Sequence, residues 1–134
     1  MDKEKIKKRL KIDLEPIFKR SDVIAILLYG SLAKNEYNIR SDIDVCIVAP
    51  ECKDHKLLFR EILSVVREEK IDLRIFEFMP LYLKMEVIKN HEIIDVKDEL
   101  DLYEYFYFIR KLFKDQEHRQ RVSGDEMLYI FSVD

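Results

Sequence analysis

A chain of 134 residues, 48% of them hydrophobic, is sized for one domain with a real core, and no second domain is expected. Its formal net charge of -3 and pI near 5.7 give no whole-molecule field to recruit a polyanion, which disfavours nucleic acid as the main partner. The start MDKEKIKKRLK is charged and lacks an apolar h-region, and no run of about 18 apolar residues could span a bilayer, so a cytoplasmic protein with no membrane partner is expected.

In chain order, Ile6, Leu10, Leu14, Ile17 and Phe18 fall at helical spacing over residues 3–20. Pro16 interrupts that pattern, so a break near residue 12 is expected, with Asp13 capping a new helix. The Lys and Arg residues between positions 3 and 11 read as a solvated face. Residues 23–29, VIAILLY, form an apolar run of strand length that ends in Gly30-Ser31. A loop and short helix over 31–41 carry Lys34 and Arg40, either of which could balance phosphate charge or simply be exposed. Asp42-Ile43-Asp44 then opens a second apolar run that reaches Val48. Cys46 and Cys52 have no metal-ligand spacing with the histidines and read as buried or incidental thiols.

Residues 54–69 repeat Leu57, Leu58, Ile62, Val65 and Val66 as an amphipathic helix leading to a third strand at 71–78, with Asp72 near its beginning. PLYLKMEVIKN, from Pro80 to Asn90, reads as a helix, His91 as an exposed connector and HEIIDV as a short extended segment. From Asp98 to about Arg121 runs a long helix, acidic first and basic last as its dipole favours. Leu102, Tyr105, Phe106, Ile109, Leu112 and Phe113 give it an apolar stripe, widened by Tyr103, Tyr107 and Phe108. Core packing is the default for that surface, and an oligomer or partner interface is the alternative. The tail after Gly124 is open between an edge strand, a partner-bound segment and disorder.

The chemistry concentrates at strand ends. Asp42 and Asp44 project from the same face of one strand, a costly pairing of like charges unless a cation sits between them. Gly30, without a Cβ, lets backbone approach a ligand closely, and Ser31 would open a short helix whose first N–H groups suit an anion. A strand–helix–strand crossover places the starts of the second and third strands at one edge, so Asp72 should neighbour Asp42 and Asp44. An antiparallel first strand would bring Gly30-Ser31 to the same edge.

Gly30-Ser31, ten residues, then Asp42-x-Asp44 resembles the signature of the polymerase-beta-like nucleotidyltransferase superfamily. In a chain this small it is similar to the minimal nucleotidyltransferases, which include the MntA-type antitoxins encoded beside HEPN-domain toxins. The resemblance covers roughly residues 15–115 and implies an α+β fold of two α/β layers, a small mixed β-sheet with helices packed on it, within a single domain of residues 1–134. It matches Asp72 to the family's third carboxylate. It further implies ATP as substrate, Mg²⁺ (two ions) held by Asp42, Asp44 and Asp72 as the catalytic set, and nucleotide contacts from Gly30, Ser31, Lys34 and Arg40. Many relatives carry Arg where Lys34 stands, which leaves the cationic character intact. The expected reaction is transfer of AMP to a tyrosine of a cognate HEPN toxin. The alternatives are a non-catalytic antitoxin that acts by binding and a small-molecule adenylyltransferase of the antibiotic-modifying kind. No counterpart is expected to the extra domains with which template-copying or tRNA-end-adding relatives hold nucleic acid.

Overall fold

The computed structural model describes residues 2–36, 42–66 and 70–131, with side chains described as far as Arg119. Its middle layer is a four-stranded sheet of β1 (Ala25–Tyr29), β2 (Ile43–Val48), β3 (Ile71–Ile75) and β4 (Glu92–Val96), in the order β3-β2-β1-β4. β1 runs antiparallel to β2 and to β4, and β2 runs parallel to β3. The parallel pair follows from its connection. A helix, α4 (His55–Val65), carries the chain from the end of β2 back to the start of β3, so both strands must point the same way. Asp54 starts that helix by accepting the Leu57 N–H at 3.1 Å.

All five side chains of β1 are buried because helices cover both faces of the sheet. Strand alternation divides the core in two. Ile26, Leu28, Val45, Ile47, Leu73 and Ile75 point toward α4 and the N-terminal helices α1 (Lys3–Asp13) and α2 (Glu15–Phe18). Ala25, Leu27, Tyr29, Cys46 and Val48 point toward α5 (Leu81–Lys89) and α6 (Glu99–Phe131), with the 3-10 turn Phe76–Phe78 between β3 and α5. The α+β architecture with a mixed sheet is as expected, but it has helices on both faces and hence three layers where two were expected. Each fully buried Leu or Ile contributes roughly 1.5–3 kcal/mol, so two apolar faces give a short chain enough burial to hold four short strands.

Several local expectations change. The helix break falls at Leu14, whose N–H still bonds Leu10 O at 2.9 Å, and Asp2 rather than Asp13 supplies a cap by accepting the Glu4 N–H at 3.0 Å. Pro16 sits in the first turn of α2, where a missing N–H costs nothing. The basic face of α1 is not wholly solvated: Lys3 and Lys7 ion-pair with Glu92, and Lys11 lies 3.9 Å from Asp95, so this helix covers the outer strand β4. His91 is not an exposed connector. Its Nδ1 lies 2.9 Å from Val87 O at the end of α5, and its ring packs 5.4 Å from that of Phe106. Cys46 and Cys52 are buried free thiols. Beyond Gly124 the backbone of α6 continues helical to Phe131, so the tail is neither strand nor loop there. Among the described residues no helix is long and apolar enough to cross a membrane.

Candidate active site

Register assembles the site. Tyr29, the last residue of β1, is directly opposite Asp44 on β2, and Asp44 is the parallel partner of Asp72 on β3. The Ile43 N–H bonds Lys70 O at 2.7 Å, which ties the starts of β2 and β3 together. Three strands therefore deliver Gly30, Asp44 and Asp72 to one edge. Asp42, exposed, stands immediately before β2.

Gly30 is fixed there by necessity. Its φ of +75° lies in the left-handed region, and a Cβ added to it would come within 2.2 Å of Asp44 Oδ2. Alanine would thus need both a strained backbone and the displacement of a carboxylate. The glycine opens α3 (Gly30–Ala33), a single helical turn with Ser31 inside it, and first-turn N–H groups have no partner within a helix. Lys34 follows that turn and pairs with Glu86 of α5, which pushes the lysine's pKa up. Arg40, an expected nucleotide contact, lies outside the described residues.

The carboxylates are electrostatically uneven. Burial of Asp44 raises its pKa, Asp72 and Asp42 raise it further, and Arg74 opposes the shift. Asp72 accepts a hydrogen bond from the Arg74 Nε–H at 3.2 Å. Burial, with Asp44 beside it, also pushes up the pKa of the Tyr29 phenol. The half-exposed Arg74 is the residue that reading for acids passed over, although alternation along β3 already put it on the face of Asp72. Glu86 had no such signal, because α5 meets Lys34 only through the fold.

The donor chemistry fits a hard divalent cation. Asp44 and Asp72 are oxygen donors on adjacent strands, and the negative surroundings of Asp44 would be relieved by a cation, a role that Arg74 fills in part. Among the described residues no group of three or more His, Cys, Asp or Glu side chains stands ready to hold a metal ion, so the three-carboxylate set is not gathered into a cage.

The chain matches the family described as polymerase beta, nucleotidyltransferase, over residues 12–100. It belongs to that family. A Methanocaldococcus jannaschii relative, provisionally named a protein adenylyltransferase, is 52% identical over 101 residues, which are 75% of this chain and 78% of that protein. Among solved structures, a toxin–antitoxin with AMP-PNP contains a chain that matches with a TM-score of 0.62 at 18% identity, covering 96% of this chain and 99% of that one. A chain from a tri-AMPylated Shewanella oneidensis HEPN toxin in complex with MNT antitoxin matches with a TM-score of 0.65 at 14% identity, covering 95% and 99%. These two likenesses establish the polymerase-beta-like fold. The family match spans β1, Gly30, β2 and β3, the segments that build the carboxylate edge.

Proposed function

We propose that this nucleotidyltransferase moves AMP from ATP to a protein hydroxyl, and that its acceptor is a tyrosine of a HEPN-domain toxin. The observation that carries the reading is the register Tyr29–Asp44–Asp72 with Gly30 against Asp44, in a chain that shares 52% identity with a relative named for protein adenylylation. The matched toxin–antitoxin structures, one with AMP-PNP and one with a tri-AMPylated toxin, support nucleotide and partner together.

Each residue has a part in that reading. Asp44 and Asp72, with Asp42 beside them, would hold Mg²⁺ (two ions), which when bound supplies charge neutralisation at the phosphates and lowers the pKa of an oxygen nucleophile. Gly30 leaves room for the phosphate chain at the start of α3, where Ser31 and the first-turn N–H groups would donate to its oxygens. Lys34 would exchange Glu86 for phosphate, and Arg74 would exchange Asp72 for developing charge on the leaving diphosphate. Asp72, freed of its guanidinium, is then placed to accept the proton of the acceptor hydroxyl, directly or through water. The phosphoanhydride between the α and β phosphates breaks, a phosphodiester to the acceptor oxygen forms, and diphosphate leaves with the electron pair.

The test is transfer of label from α-labelled ATP with Mg²⁺ to a co-purified HEPN protein. Label on a toxin tyrosine with wild-type protein, and none with Asp42→Asn/Asp44→Asn, is the expected result. An unlabelled toxin that is nonetheless neutralised would overturn the transferase reading in favour of inhibition by binding. Label on a small molecule instead would overturn the choice of acceptor.

A further inference from the structure

Helix α6 spans 33 residues, about 50 Å at 1.5 Å per residue, and its inward stripe of Leu102, Phe106 and Ile109 is used up on the sheet and α5. Its outward side does not turn polar there. Leu100 is 67% exposed, Tyr103 43%, Tyr107 60%, Phe108 66% and Leu112 50%. Leu100, Tyr103 and Tyr107 fall at i, i+3 and i+7, so they share one outward face, and Lys114, one heptad on, continues it.

Charge along this face is polarised. Glu99, Asp101 and Glu104 flank the apolar start, whereas Arg110, Lys111 and Lys114 line a groove of about 300 Å³ that begins at Tyr107. A polyanion or an anionic surface would suit the groove but be repelled by the acids two turns earlier. A partner that carries both signs in reverse order suits the whole face.

We infer that this face is a homodimer interface in which α6 packs antiparallel against α6 of a second copy, centred on Tyr107. A two-fold across the seam keeps each flank of the helix on its own side, so on either side of Tyr107 Glu104 meets Lys111, Tyr103 meets Arg110 and Leu100 meets Lys114. Leu100 and Tyr103 of each copy enter the other's groove, and the aromatic rings bury apolar area while their hydroxyls stay at the rim. Because the relation is two-fold, every contact occurs twice, and Glu104 of each helix neutralises Lys111 of the other. The inference does not depend on the transferase reading, since none of these residues belongs to the carboxylate edge.

Sedimentation equilibrium of the full chain without partner or nucleotide tests it. The expected mass is twice the 16.3 kDa of one chain, with dissociation strengthened by salt. Glu104→Lys and Lys111→Glu should each weaken the dimer about tenfold or more, and the combined exchange Glu104→Lys/Lys111→Glu should restore it. Tyr107→Asp, which places two carboxylates on the two-fold axis, should give a monomer. All of these positions are exposed, so unchanged thermal unfolding of the dilute variants serves as the folding control. A wild-type monomer at every concentration overturns the inference, as does a dimer that is indifferent to both charge reversals. A face protected only when a HEPN protein is added would instead assign it to that partner.

Discussion

Where β1 ends and β2 and β3 begin, Asp44 stands beside Asp72 with Arg74 bonded to the latter, Asp42 lies just before β2, and burial holds the Asp44 carboxyl above its ordinary range. At the opposite end of the same sheet, where β2 and β3 finish, Glu77 is also partly buried and also raised, but it is fully engaged. Its two oxygens accept the Ala49 N–H and the Tyr105 O–H, each at 2.9 Å, and His55 lies 3.8 Å away. Close by, Arg20 donates to Asp22 at 2.8 Å and 3.0 Å and also pairs with Glu61. One end satisfies its polar groups within the chain; the other leaves like charges together. Charge that the fold does not neutralise is a position from which a bound cation and phosphates can gain energy, and the imbalance is what favours the proposed site at this end.

The largest effect that would break this contrast is at Asp44. Asp44→Asn should lower AMP transfer by about a thousandfold or more, as loss of a central transition-state electrostatic group does. The same change should raise the apparent melting temperature of the nucleotide-free protein by a degree or more, because it removes a half-buried charge beside Asp72 and Asp42. Transfer assays and thermal unfolding of one preparation check both halves. A fall in stability together with activity would mean that the carboxylate edge is structural after all.

Gly30→Ala comes next. A positive φ and a Cβ 2.2 Å from Asp44 Oδ2 should together cost about 1–3 kcal/mol. For a domain of this size that is a loss of several degrees in melting temperature. Part of the cost is the encounter with Asp44, so Gly30→Ala/Asp44→Ala should lose less than the sum of the two single changes. Additive losses would show that backbone strain alone fixes the glycine.

Removing Arg74 has a smaller effect. Arg74→Gln leaves Asp72 without its guanidinium at a half-exposed position, a loss of at most about 1 kcal/mol. If Arg74 fills in for a cation, added Mg²⁺ should raise the melting temperature of Arg74→Gln more than that of the wild type. Equal responses would separate the arginine from the metal reading.

These experiments address a site whose skeleton was legible before the fold. The β1–β2 antiparallel pair and the parallel β2–α4–β3 crossover follow from run lengths and connection lengths, and together they bring Gly30, Asp44 and Asp72 to one edge. What escaped was set by partners distant in the chain. HEIIDV carries no mark that it will lie beside β1 rather than β3, and Glu86 meets Lys34 only because α5 folds over α3. The continuation of α6 past Gly124 escaped for another reason. One glycine costs a helix only about 1 kcal/mol, which is less than a stop signal when good helix formers such as Arg121, Glu126, Met127 and Leu128 resume within a turn on either side. His91 looked like a connector because its role, a contact with the last carbonyls of α5 under Phe106, exists only once α6 is in place.

The paired end gives the smallest and cleanest test, through pH. Burial raises the Glu77 pKa although both of its hydrogen bonds favour the carboxylate, so desolvation outweighs them. For an acid whose folded pKa lies above its unfolded value, the folded state holds the extra proton as pH falls, and its stability rises relative to a non-titrating variant. Wild-type protein should therefore gain stability over Glu77→Gln as pH is lowered from neutrality through the raised pKa, and the gain should level off below the ordinary glutamate range. Tyr105→Phe, which removes one donor to the carboxylate, should enlarge that dependence, because the charged form loses support that the neutral form needs less. Neither change should alter AMP transfer, because Glu77 and Tyr105 act at the far end of β2 and β3. A transfer rate that follows the Glu77 titration would join the two ends of the sheet into one functional unit and dissolve the distinction between them.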